Sequence, residues 1–238
     1  MYPTRSARRC LEACFHTDAV QAAGKVAIDV NRIGCHALSI SGHKIHAPQG
    51  VGALYVRKGT KIQPLFYGGR HERSRRAGTE NVPGIVGLGK AAQVAKVAFD
   101  RGDGRKIAAM RDRLQQGILA QVSDAAVNGE GATRVPNTLN LRFDHVDGEA
   151  MVIALDLKGV AVATGAACSS GAIEASHVLT AMGLRPDQAR GSIRLSLGKQ
   201  TTEDDIDIAL RLVPQTVARL RELSPSYKSA ALSSQAGS

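Results

Sequence analysis

The apolar pattern changes its period partway along the chain, and that change limits the folds open to it. In the first hundred residues the apolar side chains come in short runs, at 26–30, 37–41 and 51–56, each with turn residues beside it. Runs of that length, bounded by Gly, Asp or Ser, predict strands. The tight spacing of the second and third, with only residues 42–50 between them, predicts that they are neighbours. Pro83 marks a helix start, since proline suits the first helical turn. Ile85, Leu88, Ala92, Ala95 and Val97 then follow near a 3.6-residue period.

The stretch DRGDG at 100–104 breaks this pattern and predicts a domain boundary. Beyond it helical and alternating segments take turns. Ile107, Met110, Leu114 and Ile118 form one face of a helix, and Leu139, Leu141 and Phe143 alternate as in a half-buried strand. Asp147 is placed to cap a helix through Leu157. Residues 160–163 and the trio Ile193, Leu195, Leu197 predict two more strands. Thr202 with Asp205 forms a capping box for a helix to Leu223, which Pro214 is expected to kink. The resulting reading is an α/β part over residues 1–100, a small α+β domain over 101–223, and a disordered tail of small polar residues over 224–238.

Composition excludes several function classes. Hydrophobic residues are 43 % of the 238, enough for a packed core and too many for a disordered chain. No apolar run approaches the roughly 20 residues that span a bilayer, so no membrane role is expected. The formal charge of +10 raises nucleic acid or an anionic ligand as partners. Aromatics at 3 % argue against single-strand stacking platforms, and no nucleic-acid recognition motif is present. The charge is also local. Residues 57–76 hold seven basic side chains against Glu72 alone, while residues 101–223 balance at 15 and 15. The basic stretch carries Gly68 and Gly69 and reads as a loop, able to serve as an anion site. Cys10, Cys14, Cys35 and Cys168 match neither a disulfide framework nor a zinc spacing, so a reducing cytoplasm is expected and no metal site.

Four clusters carry residues suited to chemistry. In HTDAVQ, Asp18 lies among apolar and small residues and is expected to be partly buried, where a carboxylate needs a partner. In SISGHK, Lys44 leaves a strand beside a Gly and two His. Lysine desolvated near cationic groups becomes a nucleophile toward carbonyls, and Ser41 and His43 suit phosphate oxygens. In GAACSSG, Cys168 has small neighbours whose N–H and hydroxyl groups favour a thiolate. In SIRLSLG, Arg194 shares a strand face with Ser192 and Ser196 and suits a carboxylate. An ordinary reading stands beside each: a capping Asp, a surface Lys, a small core Cys, a solvent-facing Arg on an edge strand.

Taken in order, HTDAVQ, SISGHK, RAGTEN, GAACSSG and SIRLSLG resemble the cysteine desulfurases, pyridoxal-phosphate (PLP) enzymes of the class V aminotransferase group with the fold type I architecture. The resemblance runs from about Phe15 to Leu223. It implies a partial PLP-dependent transferase large domain followed by the small C-terminal domain. It implies that Asp18 pairs with the pyridinium nitrogen of pyridoxal 5'-phosphate, Gln21 bonds its phenolic oxygen, Ser41 and His43 bind its phosphate, and Lys44 forms the Schiff base. Thr79 would reach the phosphate of the partner subunit in a homodimer. Arg194 would hold the carboxylate of L-cysteine. Cys168 would take the sulfur as a persulfide, leave L-alanine, and pass the sulfur to an acceptor such as an iron–sulfur scaffold protein.

The family also carries a long N-terminal stretch that this sequence lacks. That stretch supplies the first strands of the large domain, a His that stacks on the cofactor and further phosphate and substrate contacts. A fragment, inactive or acting at most as a dimerisation or acceptor-binding module, is therefore the alternative reading. A related class V enzyme such as selenocysteine lyase is the second.

Overall fold

The computed structural model describes residues 13–164, 175–224 and 227. The chain divides into two compact units, Met1–Gly104 and Arg105–Ser238.

The first unit is built on a three-stranded sheet of order β1-β2-β3, made of β1 (His16–Asp18), β2 (Ala37–Ser41) and β3 (Gly52–Val56). β1 runs parallel to β2 and pairs Asp18 with Ser39. β3 runs antiparallel to β2 and pairs Ser41 with Gly52. Strand alternation sends Leu38, Ile40 and Tyr55 to one face, where they pack with Ile33, Cys35 and Ala19. The neighbouring-strand expectation for residues 37–41 and 51–56 holds.

The strand expected at 26–30 does not form. Asp29 Oδ1 accepts the N–H of Asn31 (2.8 Å) and of Arg32 (3.1 Å), which caps α1 (Val30–Ile33). Those N–H groups are then unavailable to a ladder. Gly34, at φ 67°, ends the turn, and Arg57 bonds the carbonyls of Cys35 and Val30.

The β2–β3 connection folds as a 3-10 turn, Gly42–Ile45. Gly42 N–H donates to Val51 O at 2.9 Å. A Cβ at Gly42 would stand 2.8 Å from that oxygen, and one at Gly52 only 2.6 Å from Ile40 O. Close backbone approach, not turn geometry alone, reserves both positions for glycine. The basic stretch forms loops and one short turn, α2 (His71–Ser74), in which Glu72 and Arg73 have φ of 48° and 58°. The helix expected from Pro83 is α3 (Val82–Arg101), capped by the Asn81 side chain on Gly84 N–H and stopped at Gly102.

The second unit carries α4 (Asp103–Gln121), β4 (Ala125–Val127), β5 (Thr138–Phe143), α5 (Gly148–Asp156), β6 (Ala163–Thr164), α6 (His177–Ala181), α7 (Pro186–Arg190), β7 (Ser192–Ser196) and α8 (Glu203–Leu223). The four strands form an antiparallel sheet of order β4-β5-β7-β6. Leu139, Leu141, Phe143, Ile193 and Leu195 point to its core face. There Met110, Leu114 and Ile118 of α4 and Ile206, Val213 and Val217 of α8 belong to the same cluster. Asp147 caps α5 through Ala150 N–H, and Thr202 and Asp205 form the capping box of α8, both as expected.

One expectation changes, and one ordinary alternative is set aside. The strand at 160–163 shrinks to Ala163–Thr164, because Val160 N–H donates to Leu155 O in the turn that closes α5. Arg194 is not on an edge, since β7 lies between β5 and β6. Pro214 stands inside α8, which continues through it as one element. Proline leaves the carbonyl four residues back without its helical donor. That carbonyl is Leu210 O, and Gln121 Nε2 donates to it at 3.3 Å. The tail at 224–238 lies outside the described residues except Ser224 and Tyr227. Tyr227 stacks its ring edgewise on His145 and under the Arg221 guanidinium. No described helix is long and apolar enough to cross a membrane.

Candidate functional site

The sheet of the first unit has an apolar face and a polar one. The register that sends Leu38 and Ile40 to the core places His16, Asp18, Ser39 and Ser41 together on the other face. His16 Nε2 and Ser39 Oγ lie 2.5 Å apart across the parallel pair. Asp18 and Ser41 both end their strands, so the polar residues gather at the carboxyl ends of β1 and β2. Open α/β sheets bind ligands at that end.

Asp18 is exposed, not partly buried as expected. It terminates an edge strand on the polar face. Its Oδ1 accepts Val20 N–H at 2.8 Å and fixes the carboxylate at the start of the following turn. That turn brings round Gln21, whose Oε1 accepts from Lys25 Nζ at 3.0 Å.

The 3-10 turn presents the second group. Ser41 Oγ and His43 Nδ1 are 2.8 Å apart, and Lys44 is exposed on the same turn. Ile45 is buried beneath it, and its side chain lies near the backbone at Gly24. The turn after β1 and the turn after β2 are thereby packed together. Burial holds the Lys25 ammonium below the ordinary lysine value, and the charge of Lys44 lowers it further.

Thr79 stands exposed on the loop ahead of α3. Arg194 lies in the second unit, half-buried on the sheet face opposite the core, with Asn140 of β5 directly across from it. Cys168 lies outside the described residues. The sequence reading brought together Asp18, Gln21, Ser41, His43 and Lys44, and the first unit holds all five. It missed the His16–Ser39 pair and Lys25. The i, i+4 spacing of Gln21 and Lys25 was the available signal for the latter.

The donor set suits a molecule with an anionic group, a carbonyl and a basic ring nitrogen. Hydroxyl and imidazole supply anion donors, an exposed amine meets the carbonyl, and a fixed carboxylate meets the nitrogen. Comparisons with known proteins give the family. The aminotransferase class-V family pattern matches residues 4–209. A cysteine desulfurase of Gluconacetobacter diazotrophicus is 48 % identical over 92 % of this chain and 54 % of its own length. The cysteine desulfurase NifS of Azotobacter vinelandii is 50 % identical over 90 % of this chain and 53 % of its own. A NifS-like protein structure from Rickettsia africae superposes with a TM-score of 0.79 at 32 % identity, covering 89 % of this chain and 55 % of that one. The chain thus spans about half the length of the curated relatives it matches. That pattern covers most of the chain, and the chain belongs to the class-V aminotransferase family.

Proposed function

We propose that the chain carries the lysine, carboxylate and thiol of a cysteine desulfurase, with pyridoxal 5'-phosphate as cofactor and L-cysteine as substrate. The observation that carries this is the gathering of Asp18, the Ser41–His43 pair and Lys44 at the carboxyl ends of two parallel strands. When bound, the cofactor supplies an aldehyde for the substrate amine and a cationic ring that draws electrons from the substrate carbon.

The chain's own residues supply the rest. Ser41 and His43 donate to the phosphate. Asp18 keeps a proton on the ring nitrogen, and Gln21 donates to the phenolic oxygen. Lys44 holds the cofactor before substrate arrives, and its freed Nζ then moves the proton from the substrate Cα. Arg194 orients the substrate carboxylate. Cys168 Sγ attacks the substrate sulfur. The new bond is S–S, and the bond that breaks is Cβ–S, with its electron pair left on Cβ and protonated to give alanine. The persulfide passes to an acceptor such as an iron–sulfur scaffold or a thiolation partner. A homodimer in which Thr79 reaches the partner's phosphate, working in the cytoplasm, completes the reading.

A second reading has its own support. Leu65, Tyr67 and Val86 of the first unit are 89 %, 79 % and 66 % exposed, apolar side chains that a partner surface would cover. On this reading the chain is inactive alone and acts as a dimerisation or acceptor-binding module.

One experiment separates the two. The purified chain is mixed with pyridoxal phosphate and then with L-cysteine. The first reading expects a yellow species that Lys44→Ala abolishes, and alanine release that Cys168→Ser abolishes. Absence of the yellow species with dimerisation retained establishes the second. Alanine release surviving Cys168→Ser overturns the assigned nucleophile.

A further inference from the structure

The sheet face that carries Arg194 also carries a small buried polar network, and its hydrogen-bond directions can be worked out from chemistry alone. Ser192 is 1 % exposed and its hydroxyl donates to Gln188 O of α7 at 2.9 Å. A carbonyl only accepts, so the single Ser192 proton is committed there. Ser192 Oγ can then only accept from its other neighbour, Asn128, at 3.0 Å. The Asn128 group facing Ser192 is therefore its NH2. The same NH2 lies 2.6 Å from the side chain of Asn140, which must present its oxygen. A backbone bond from Asn128 N–H to Asn140 O at 2.9 Å fixes the two residues side by side. The Asn140 amide has one orientation left, with its own NH2 turned away from the network.

What that NH2 faces follows from register. Asn140 and Arg194 are direct partners across β5 and β7, on the face opposite Leu139, Leu141, Ile193 and Leu195. Partners of this kind have their Cβ atoms about 5 Å apart. On the other side of β7, Arg194 is paired with Ala163, which offers no side-chain acceptor. Among the described residues neither the Arg194 guanidinium nor Asn140 Nδ2 has a hydrogen-bond partner. Among the described residues two donor groups thus stand together, one charged and one neutral, with no acceptor between them. The network that sets this arrangement leaves Asn128 Oδ1 buried without a partner. A purely structural amide cluster gains nothing from that loss.

We propose that Asn140 is a second donor for the substrate carboxylate beside Arg194, its amide turned outward by the buried relay from Gln188 through Ser192 and Asn128. This rests on the reading of Arg194 as the carboxylate site given above. Arg194 supplies charge and Asn140 supplies direction. One carboxylate oxygen takes the guanidinium and the other the amide, which sets the plane of the carboxylate and with it the substrate's Cα.

The test uses the full chain without cofactor and L-alanine as the probe, with L-alaninamide as the control that lacks a carboxylate. Side-chain NMR signals of Asn140 Nδ2 and Arg194 Nε are followed through a titration. L-Alanine is expected to shift both together, and L-alaninamide neither. Asn140→Asp keeps the oxygen that Asn128 donates to and replaces only the outward NH2. Alanine affinity should fall about tenfold or more in that variant, while its melting temperature stays close to that of the parent. Alanine binding unchanged in Asn140→Asp, or no response at the Asn140 amide, overturns the proposal. With cofactor and L-cysteine, the same variant should raise KM and leave the yellow species intact. Loss of the yellow species in the unaltered chain overturns the desulfurase reading, and the alanine titration still decides the role of Asn140.

Discussion

Among the described residues nineteen apolar side chains are buried in one cluster beneath the sheet of the second unit, and the cluster beneath the sheet of the first has four. Among the described residues the exposed large apolar side chains lean the other way, eleven in the first unit against six in the second. Leu54, Ile62, Leu65, Phe66, Tyr67, Val82, Ile85, Val86, Val94, Val97 and Phe99 all belong to the first unit. The second unit closes its own core, with α4 and α8 contributing to one side of its sheet. The first unit holds most of the candidate chemistry on one sheet face and has far less packing behind it. Consolidation and candidate chemistry are thus separated along the chain, and among the described residues only Arg194 and Asn140 bring proposed site residues into the well-packed unit.

The largest expected effect tests that contrast directly. Phe143→Ala, at a side chain 1 % exposed, should cost the second unit about 3–5 kcal/mol in denaturant unfolding followed by hydrogen exchange. Leu65→Ala, 89 % exposed, should stay within about 0.5 kcal/mol. A large loss at Leu65 would break the comparison, because it would mean that another surface covers the residue in solution. Gly42→Ala comes next. Its Cβ meets Val51 O at 2.8 Å, and relief of that overlap should cost about 1–3 kcal/mol. Exchange should quicken over residues 37–56 with the second unit's protection unchanged, and loss of protection in both units would show that they do not melt apart.

The smallest effect sharpens the picture of the site. The folded value of Lys25 lies below its unfolded one. Between the two the unfolded chain binds more protons, so stability rises with pH across that window, just under the ordinary lysine range. The penalty is fully present below the folded value and gone above the unfolded one. Lys25→Met should flatten the rise in a pH series of melting temperatures. A rise that persists in the variant assigns it to another group.

Elements whose signal is local were legible in the sequence. The alternation at Leu139, Leu141 and Phe143, the Asp147 cap and the Thr202–Asp205 box each depend on neighbours a few residues away, and each stands as read. Residues 26–30 failed because Asp29 capped a helical turn, an option that apolar content does not reveal. The donor to the carbonyl that Pro214 frees was not legible, because Gln121 is 89 residues distant from it. The exposure of Asp18 was hidden for a similar reason, since burial depends on what covers a face and not on the flanking residues. The residue types and order of the site were readable, whereas the relay behind Asn140 needed the register of two strands far apart in sequence.

The two pairings of the first sheet also set an order of assembly. The β2–β3 hairpin joins Ser41 to Gly52 across a short turn, and such hairpins close in roughly 1–10 microseconds. β1 must span the segment containing α1 to reach the parallel side of β2, a less local and slower pairing. Lys44, Ser41 and His43 therefore take shape first, as a small pre-formed loop, and Asp18 joins them afterwards. On the proposed function, a cofactor present during synthesis or refolding would meet the lysine loop and its anion donors before the carboxylate completes the pocket.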